Sequence, residues 1–299
     1  MPYLVTLGDS VPWGQGLVHH HKFSHLIAQE LRKTDPALVE HMLAHSGAVI
    51  GLGHTITTAR VHGEVPIGPP TIVEQLAGFP DDPAEAHVVL VNGGINDVDI
   101  RNILNPFISL DALRRMTLEH CYDSMRELLE LTVRKFPSPA TAIFVTGYYP
   151  ILSRDSKPFR IPGLLLLHGL QTEPPPPMRV VSFLNVVVER CLLFWTESTR
   201  ALRQAVDEIN QQAPGPRVIF VDPGFREQNA AFASEPWLWG LNNDLTPQDE
   251  VAGPRRGACD AAIPRREGLA REQCYRASAG HPNVTGARKY ADAILQAMA

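Results

Sequence analysis

The chain lacks most of the marks of a specialised scaffold. It has only four cysteines in 299 residues, Cys121, Cys191, Cys259 and Cys274. None forms a C-x-x-C pair, which excludes zinc ribbons and thioredoxin-like motifs, and four scattered thiols make no disulfide framework. Cys259 and Cys274 bracket a Pro/Gly/Arg-rich stretch. They pair in an oxidising compartment or stay free in a reducing one, and the sequence leaves both open. No uninterrupted apolar run reaches about 18 residues, so no transmembrane helix is expected. The opening MPYLVTLGDS has neither a basic n-region nor a signal-peptide h-region. The expected location is therefore cytoplasmic if the chain is complete, and secreted if a leader has been removed. Charge of one sign is never concentrated: 27 Lys and Arg face 32 Asp and Glu, a net of -5, which argues against a nucleic-acid partner. The G-x-x-x-x-G-K-[ST] phosphate loop and the G-x-S-x-G elbow are both missing, which disfavours an NTPase and an α/β-hydrolase. The H-E-x-x-H zinc pattern is also missing. His19, His20, His21 and His25 read as a helix entry near the site rather than a metal cluster, and no metal or other cofactor is expected.

What the chain does have is a large apolar fraction, 44%, with 20% charged residues, enough to bury a sizeable core. Short apolar runs alternate with helical patterns. Strands are expected at 2–7, 38–43, 87–91, 141–146 and 218–221, and helices at 23–31, 111–135, 180–210 and 287–298. Alternation of this kind implies a parallel sheet covered on both faces. Ligands in such folds sit beyond the carboxyl ends of the strands. Gly8-Asp9-Ser10, Asn92 to Asp97 and Gly147 to Pro150 all fall there. Residues 153–178 read as irregular, with a stiff Pro174–Pro177 run. Residues 178–195 are apolar enough for a membrane surface, but Glu189 and Arg190 favour core packing. Residues 222–280 show little periodicity, and Trp237 and Trp239 there are candidate pocket residues. One domain over 1–299 is expected, elaborated by an insertion at about 151–215 and an irregular region near the site at about 222–280.

Four elements carry chemistry. Ser10 stands at the end of the first strand and before a helix, where backbone N–H groups can face an oxyanion. Ser46-Gly47-Ala48 lets backbone approach a ligand closely. Asn96, in Gly94-Ile95-Asn96-Asp97, offers a neutral amide donor. His281 precedes Pro282, whose ring restricts the backbone and sets the direction of the imidazole. Each alone has an ordinary reading as a turn, cap or loop.

In this order, the four blocks resemble the SGNH (GDSL) hydrolase family. Ser278, three residues before His281, stands where most members carry the Asp of a triad. In this, the chain looks most similar to a streptomycete-like group of esterases and lipases that use a Ser-His dyad. The resemblance implies a three-layer α/β/α flavodoxin-like fold with a five-stranded parallel sheet. It implies a carboxylic ester hydrolase with Ser10 as nucleophile and His281 as general base. The oxyanion hole would come from the Ser10 and Gly47 N–H groups and the Asn96 side chain. A hydroxyl supplies no charge, so the imidazole needs another acceptor to set its tautomer. The Ser278 backbone carbonyl is the first choice, with Asp244, Asp249 or Asp260 as the alternative. Asp9 and Asp97 read as turn-forming or orienting residues. The expected partner is a small-molecule ester, with the apolar stretch 163–170 pointing to a lipid-like acyl group. A non-catalytic ligand binder of the same fold is the competing reading.

Overall fold

The computed structural model describes residues 2–52, 61–174, 176, 179–212, 217–242 and 245–299. Five strands, β1 (Tyr3–Leu7), β2 (Val39–Met42), β3 (Ala86–Val91), β4 (Ala142–Thr146) and β5 (Arg217–Val221), form one sheet in the order β2-β1-β3-β4-β5. Every pairing is parallel. All five expected strands are present, shifted by at most one residue at either end. The sequence explains the order of burial. In β1 every residue is buried, and in β3 only His87 is exposed, as strands covered on both faces require. Edge strand β2 carries Glu40 and His41 and is only half-buried.

Helices lie on both faces, giving the expected three layers. Those of seven residues or more are α1 (Phe23–Leu31), α2 (Leu110–Leu118), α3 (Met125–Lys135), α4 (Ile161–Leu167), α5 (Val180–Gln212), α6 (Ala252–Ala262), α7 (Gly268–Tyr275) and α8 (Val284–Met298). α1 packs against α8, with the Phe23 and Tyr290 rings stacked at 5.2 Å. α2, α3 and α5 pack together, and α5 also lies against β5. The helix expected over 111–135 is interrupted by a π-helical turn, Glu119–Ser124. That turn lies against Gly94, where an added Cβ would come within 3.0 Å of Cys121 Sγ.

Three expectations change. Residues 153–178 contain a helix, α4; its Pro162 lies in the first turn, where a missing N–H costs nothing. Residues 222–280 contain α6 and α7, helices whose Gly, Pro and Arg content hides any apolar period. The terminal helix begins three residues earlier than expected, because the Asn283 side chain caps it by accepting from Gly286 N–H at 3.1 Å. The apolar stretch ahead of 195 does pack inward: Phe183, Leu184, Val187, Val188 and Cys191 are buried, although Val180 and Val181 are exposed. Arg190 is buried as well. Its guanidinium donates to the carbonyls of Asn102, at 2.6 Å, Ile103, at 3.0 Å, and Ile108. Cys259 and Cys274 form a disulfide that joins α6 to α7, with Cα atoms 6.0 Å apart. Among the described residues, no helix is long and apolar enough to cross a membrane.

Candidate active site

β1 delivers Gly8-Asp9-Ser10 to the carboxyl edge of the sheet. Gly8 has φ +135°, and a Cβ there would lie 2.5 Å from the Asn92 carbonyl oxygen. Only glycine lets the ends of β1 and β3 approach this closely. Gln75 clasps the same residue: Gly8 N–H donates to its Oε1 at 2.8 Å, and its Nε2 donates to Gly8 O at 3.0 Å. Asp9 is fully buried and caps the short helix Ser10–Trp13 by accepting from Val11 N–H at 2.8 Å. Its other oxygen accepts from the Tyr148 hydroxyl at 2.9 Å, and that hydroxyl accepts from Ile95 N–H at 3.1 Å. Burial pushes the Asp9 carboxyl up to about 6, with the Val11 and Tyr148 bonds opposing the shift. These contacts give Asp9 the turn-forming place expected of it.

Gly47 has φ +78°, and a Cβ there would meet the Ile67 backbone at 2.6 Å. The Asn96 amide donates to Ala48 O at 2.9 Å, and the Asp97 carboxylate accepts from Ile50 N–H at 3.1 Å. Both bonds fasten the Gly47 loop to the turn after β3. One of the two Asn96 amide hydrogens is used in this way.

His281 Nε2 lies 2.7 Å from Ser10 Oγ, across 271 residues of sequence. Its segment is held by backbone: Trp239 N–H donates to His281 O at 2.7 Å, Gly280 N–H to Trp239 O at 2.9 Å, and Asn283 N–H to Trp237 O at 2.8 Å. Trp237 and Trp239 therefore secure the histidine and are not among the residues that line the cavity. Nδ1 is fully buried, and no acceptor meets it at hydrogen-bonding geometry among the described residues. The Ser278 and Ala279 carbonyls face the ring and favour its protonated form. Burial outweighs them and pushes the imidazole down to about 4. At neutral pH the ring is therefore an unprotonated base.

A cavity of about 380 Å³ opens over the pair, and Ser10, Gly47, Asn96 and His281 all line it. Its apolar wall includes Ile95, Ile100, Ile151, Leu164 and Leu167. Arg101, His168, Gln273 and Arg276 add polar groups.

No family model matches the sequence, and no curated protein does. Solved structures do match. Phospholipase A1 from Streptomyces albidoflavus NA297 superposes with a TM-score of 0.54 at 11% identity, over 99% of this chain and 98% of that one. The two chains share one fold, three α/β/α layers around a five-stranded parallel sheet. A putative arylesterase from Agrobacterium tumefaciens str. C58 also matches, with a TM-score of 0.46 at 13% identity, over 100% of this chain and 98% of that one.

Around this core the structure adds residues that the sequence did not single out. Gln75 and Tyr148 tie the blocks together, as described above. Glu64 and Arg255 form a buried ion pair with Asp249, whose carboxylate accepts the Ser278 hydroxyl at 2.5 Å. Ser278 itself is fully buried and does not line the cavity. Of the alternative carboxylates, Asp260 is drawn off to Tyr275 and Arg271, and Asp244 lies outside the described residues. The His19–His21 run does form a helix entry, a 3-10 turn before α1, but it does not line the cavity. His19, His25 and Glu40 bring possible metal-ligand atoms within 4.8 Å of one another at the foot of α1. The Glu40 carboxylate there already accepts from Ser24, at 3.2 Å, and pairs with His25 at 2.9 Å.

Proposed function

We propose that this protein is a carboxylic ester hydrolase that works through a Ser10 acyl-enzyme. The observation that carries the reading is the 2.7 Å separation of Ser10 Oγ and His281 Nε2 at the wall of a mostly apolar cavity. His281 Nε2 removes the Ser10 proton as Oγ attacks the ester carbonyl. Negative charge on the tetrahedral oxygen is met by the Ser10 and Gly47 N–H groups and by the Asn96 amide hydrogen not used on Ala48. Collapse breaks the ester C–O bond, and His281 returns the proton to the leaving alcohol. Water then attacks the acyl-enzyme with the roles repeated, which restores Ser10. The Ser278 carbonyl faces the ring and is the acceptor assigned to His281 Nδ1–H, a hydrogen bond that tightens as the imidazole settles against bound substrate. The whole chain acts as one domain, because the last twenty residues complete a site that the first ten begin.

The substrate class is an ester with a lipid-like acyl chain. Leu164 and Leu167 from α4, with Ile95, Ile100 and Ile151, supply apolar surface to the cavity wall. Each buried CH₂ contributes about 0.8 kcal/mol, so rates on p-nitrophenyl esters should hold or rise from about four to about eight carbons. A steep preference for acetate would remove the lipid-like class while leaving ester hydrolysis intact. A non-catalytic binder predicts no Ser10-dependent rate and no fluorophosphonate labelling. Wild type and Ser10→Ala side by side separate the two readings.

A further inference from the structure

The Glu64–Arg255–Asp249 ion array takes no part in the chemistry above, yet it lies between the two catalytic segments. Its side chains are fully or almost fully buried: Arg255 and Asp249 are 0% exposed and Glu64 3%. The Arg255 fork grips Asp249 at 2.9 and 2.6 Å and reaches Glu64 at 3.2 Å. Its Nε donates to the Tyr275 carbonyl at 3.1 Å, at the end of α7. Glu64 receives Trp13 Nε1 at 2.8 Å, Gln15 Nε2 at 3.0 Å and the Gly16 N–H, all from the segment that leaves Ser10. Asp249 receives the Ser278 hydroxyl at 2.5 Å, from the turn that enters His281. Gly16 fills the space between them, since a Cβ there would lie 2.8 Å from Ser278 Cβ and 3.0 Å from Asp249 Cβ.

We propose that Asp249 is a positioning residue for His281, acting through the Ser278 hydroxyl, and that the Glu64–Arg255–Asp249 array sets the Ser10–His281 distance. The proposal rests on the hydrolase reading. Its physical basis is that Ser278 has two jobs and one rotamer. Its carbonyl accepts the His281 backbone N–H at 2.9 Å and faces the imidazole Nδ1. Its hydroxyl is anchored to a carboxylate that Arg255 holds from two sides, so the peptide plane that carries the carbonyl has little freedom. Burying three charges is costly, and removing one partner leaves the others uncompensated. A fully satisfied buried array of this kind specifies one geometry. The acid is therefore displaced one hydrogen bond behind the place where a triad acid stands. It orients the histidine without touching it.

The charged and titratable groups that face His281 are Arg255 from α6 and His168 from the end of α4, and both oppose its protonation. Asp249 offsets the Arg255 charge. Asp249→Asn should therefore do two things at once. It should lower kcat by about tenfold to a hundredfold with KM changed less than about twofold, the scale of a mispositioned catalytic group. It should also move the acid limb of kcat/KM to lower pH, because the Arg255 charge is then less balanced. Ser278→Ala keeps the carbonyl and every charge, so it should lower kcat without moving that limb. Fluorophosphonate labelling of Ser10 should slow in parallel in both variants. If the wild type fails to label, the hydrolase reading falls first. If the wild type labels and Ser278→Ala matches it in labelling rate and kcat, the positioning role is overturned. A lowered kcat in Asp249→Asn with an unmoved limb and a matching loss of Tm also overturns it, since that is what lost packing alone would give. Should Asp249→Asn fail to fold, Ser278→Ala decides the question.

Discussion

Ser10 and His281 reach the same point by different means. Ser10 is placed by groups close to it in the chain or on the neighbouring strand ends: the left-handed Gly8, the Asp9 cap and the Tyr148 hydroxyl. His281 is placed by contacts from Trp237 and Trp239, from Ser278, and through Ser278 from Asp249. The serine side is a strand end, rigid because the sheet is rigid. The histidine side is a loop between α7 and α8, made rigid by bonds imported from elsewhere. Damage to the fold should therefore reach His281 before it reaches Ser10.

The largest expected effect is on the serine side. Ser10→Ala should cut kcat by about 10⁴-fold or more on a short-chain p-nitrophenyl ester, since nucleophile and base act as a unit. A residual rate within tenfold of wild type would sever the pair. Next, Asn96→Ala should lower kcat by about 10²- to 10³-fold, the cost of one oxyanion donor, with KM little changed. A raised KM at unchanged kcat would instead make Asn96 a ground-state contact.

The contrast also explains what could be read in advance. The strand ends were legible because apolar runs, glycine punctuation and the Gly8-Asp9-Ser10 order are all local. Ser10, Gly47, Asn96 and His281 stand in such local blocks, whose order resembles a known family, and all four line one cavity. Gln75 and Glu64 were not found, because a polar residue in an ordinary stretch shows no sign that it will be buried against a distant backbone. α6 and α7 were missed for a related reason. Their stability lies in the Cys259–Cys274 bond and in the buried Arg255, not in helix propensity or an apolar stripe. Trp237 and Trp239, pocket candidates from their place in the irregular stretch, instead hold the histidine segment through their backbones and do not line the cavity.

Two smaller effects sharpen the comparison on the histidine side. Cys259→Ser with Cys274→Ser should remove about 3 kcal/mol of stability, the entropy of closing a loop of this length, measured by denaturant unfolding. Activity should be lost at lower denaturant than the global transition if the base is the softer partner; coincident loss would erase the distinction. The pH dependence is subtler. The proposed mechanism needs the neutral imidazole, and burial pushes the His281 ring down to about 4. The acid limb of kcat/KM should therefore stay flat as pH falls through 6.5, the ordinary imidazole value, and drop only nearer 4 to 5. A midpoint at 6.5 or above would mean the ring is better hydrated than its burial indicates. Asp9, which gains its proton near 6, touches neither reacting atom, so Asp9→Asn should leave that limb where it is.

The cystine between α6 and α7 has one more consequence. The exposed turn joining them carries Arg265 and Arg266, an inviting place for a trypsin-like protease. A nick there would not divide the molecule, because the sulfur bridge spans the cut. Even in denaturant the two fragments would travel together until a thiol reductant separated the piece that bears His281.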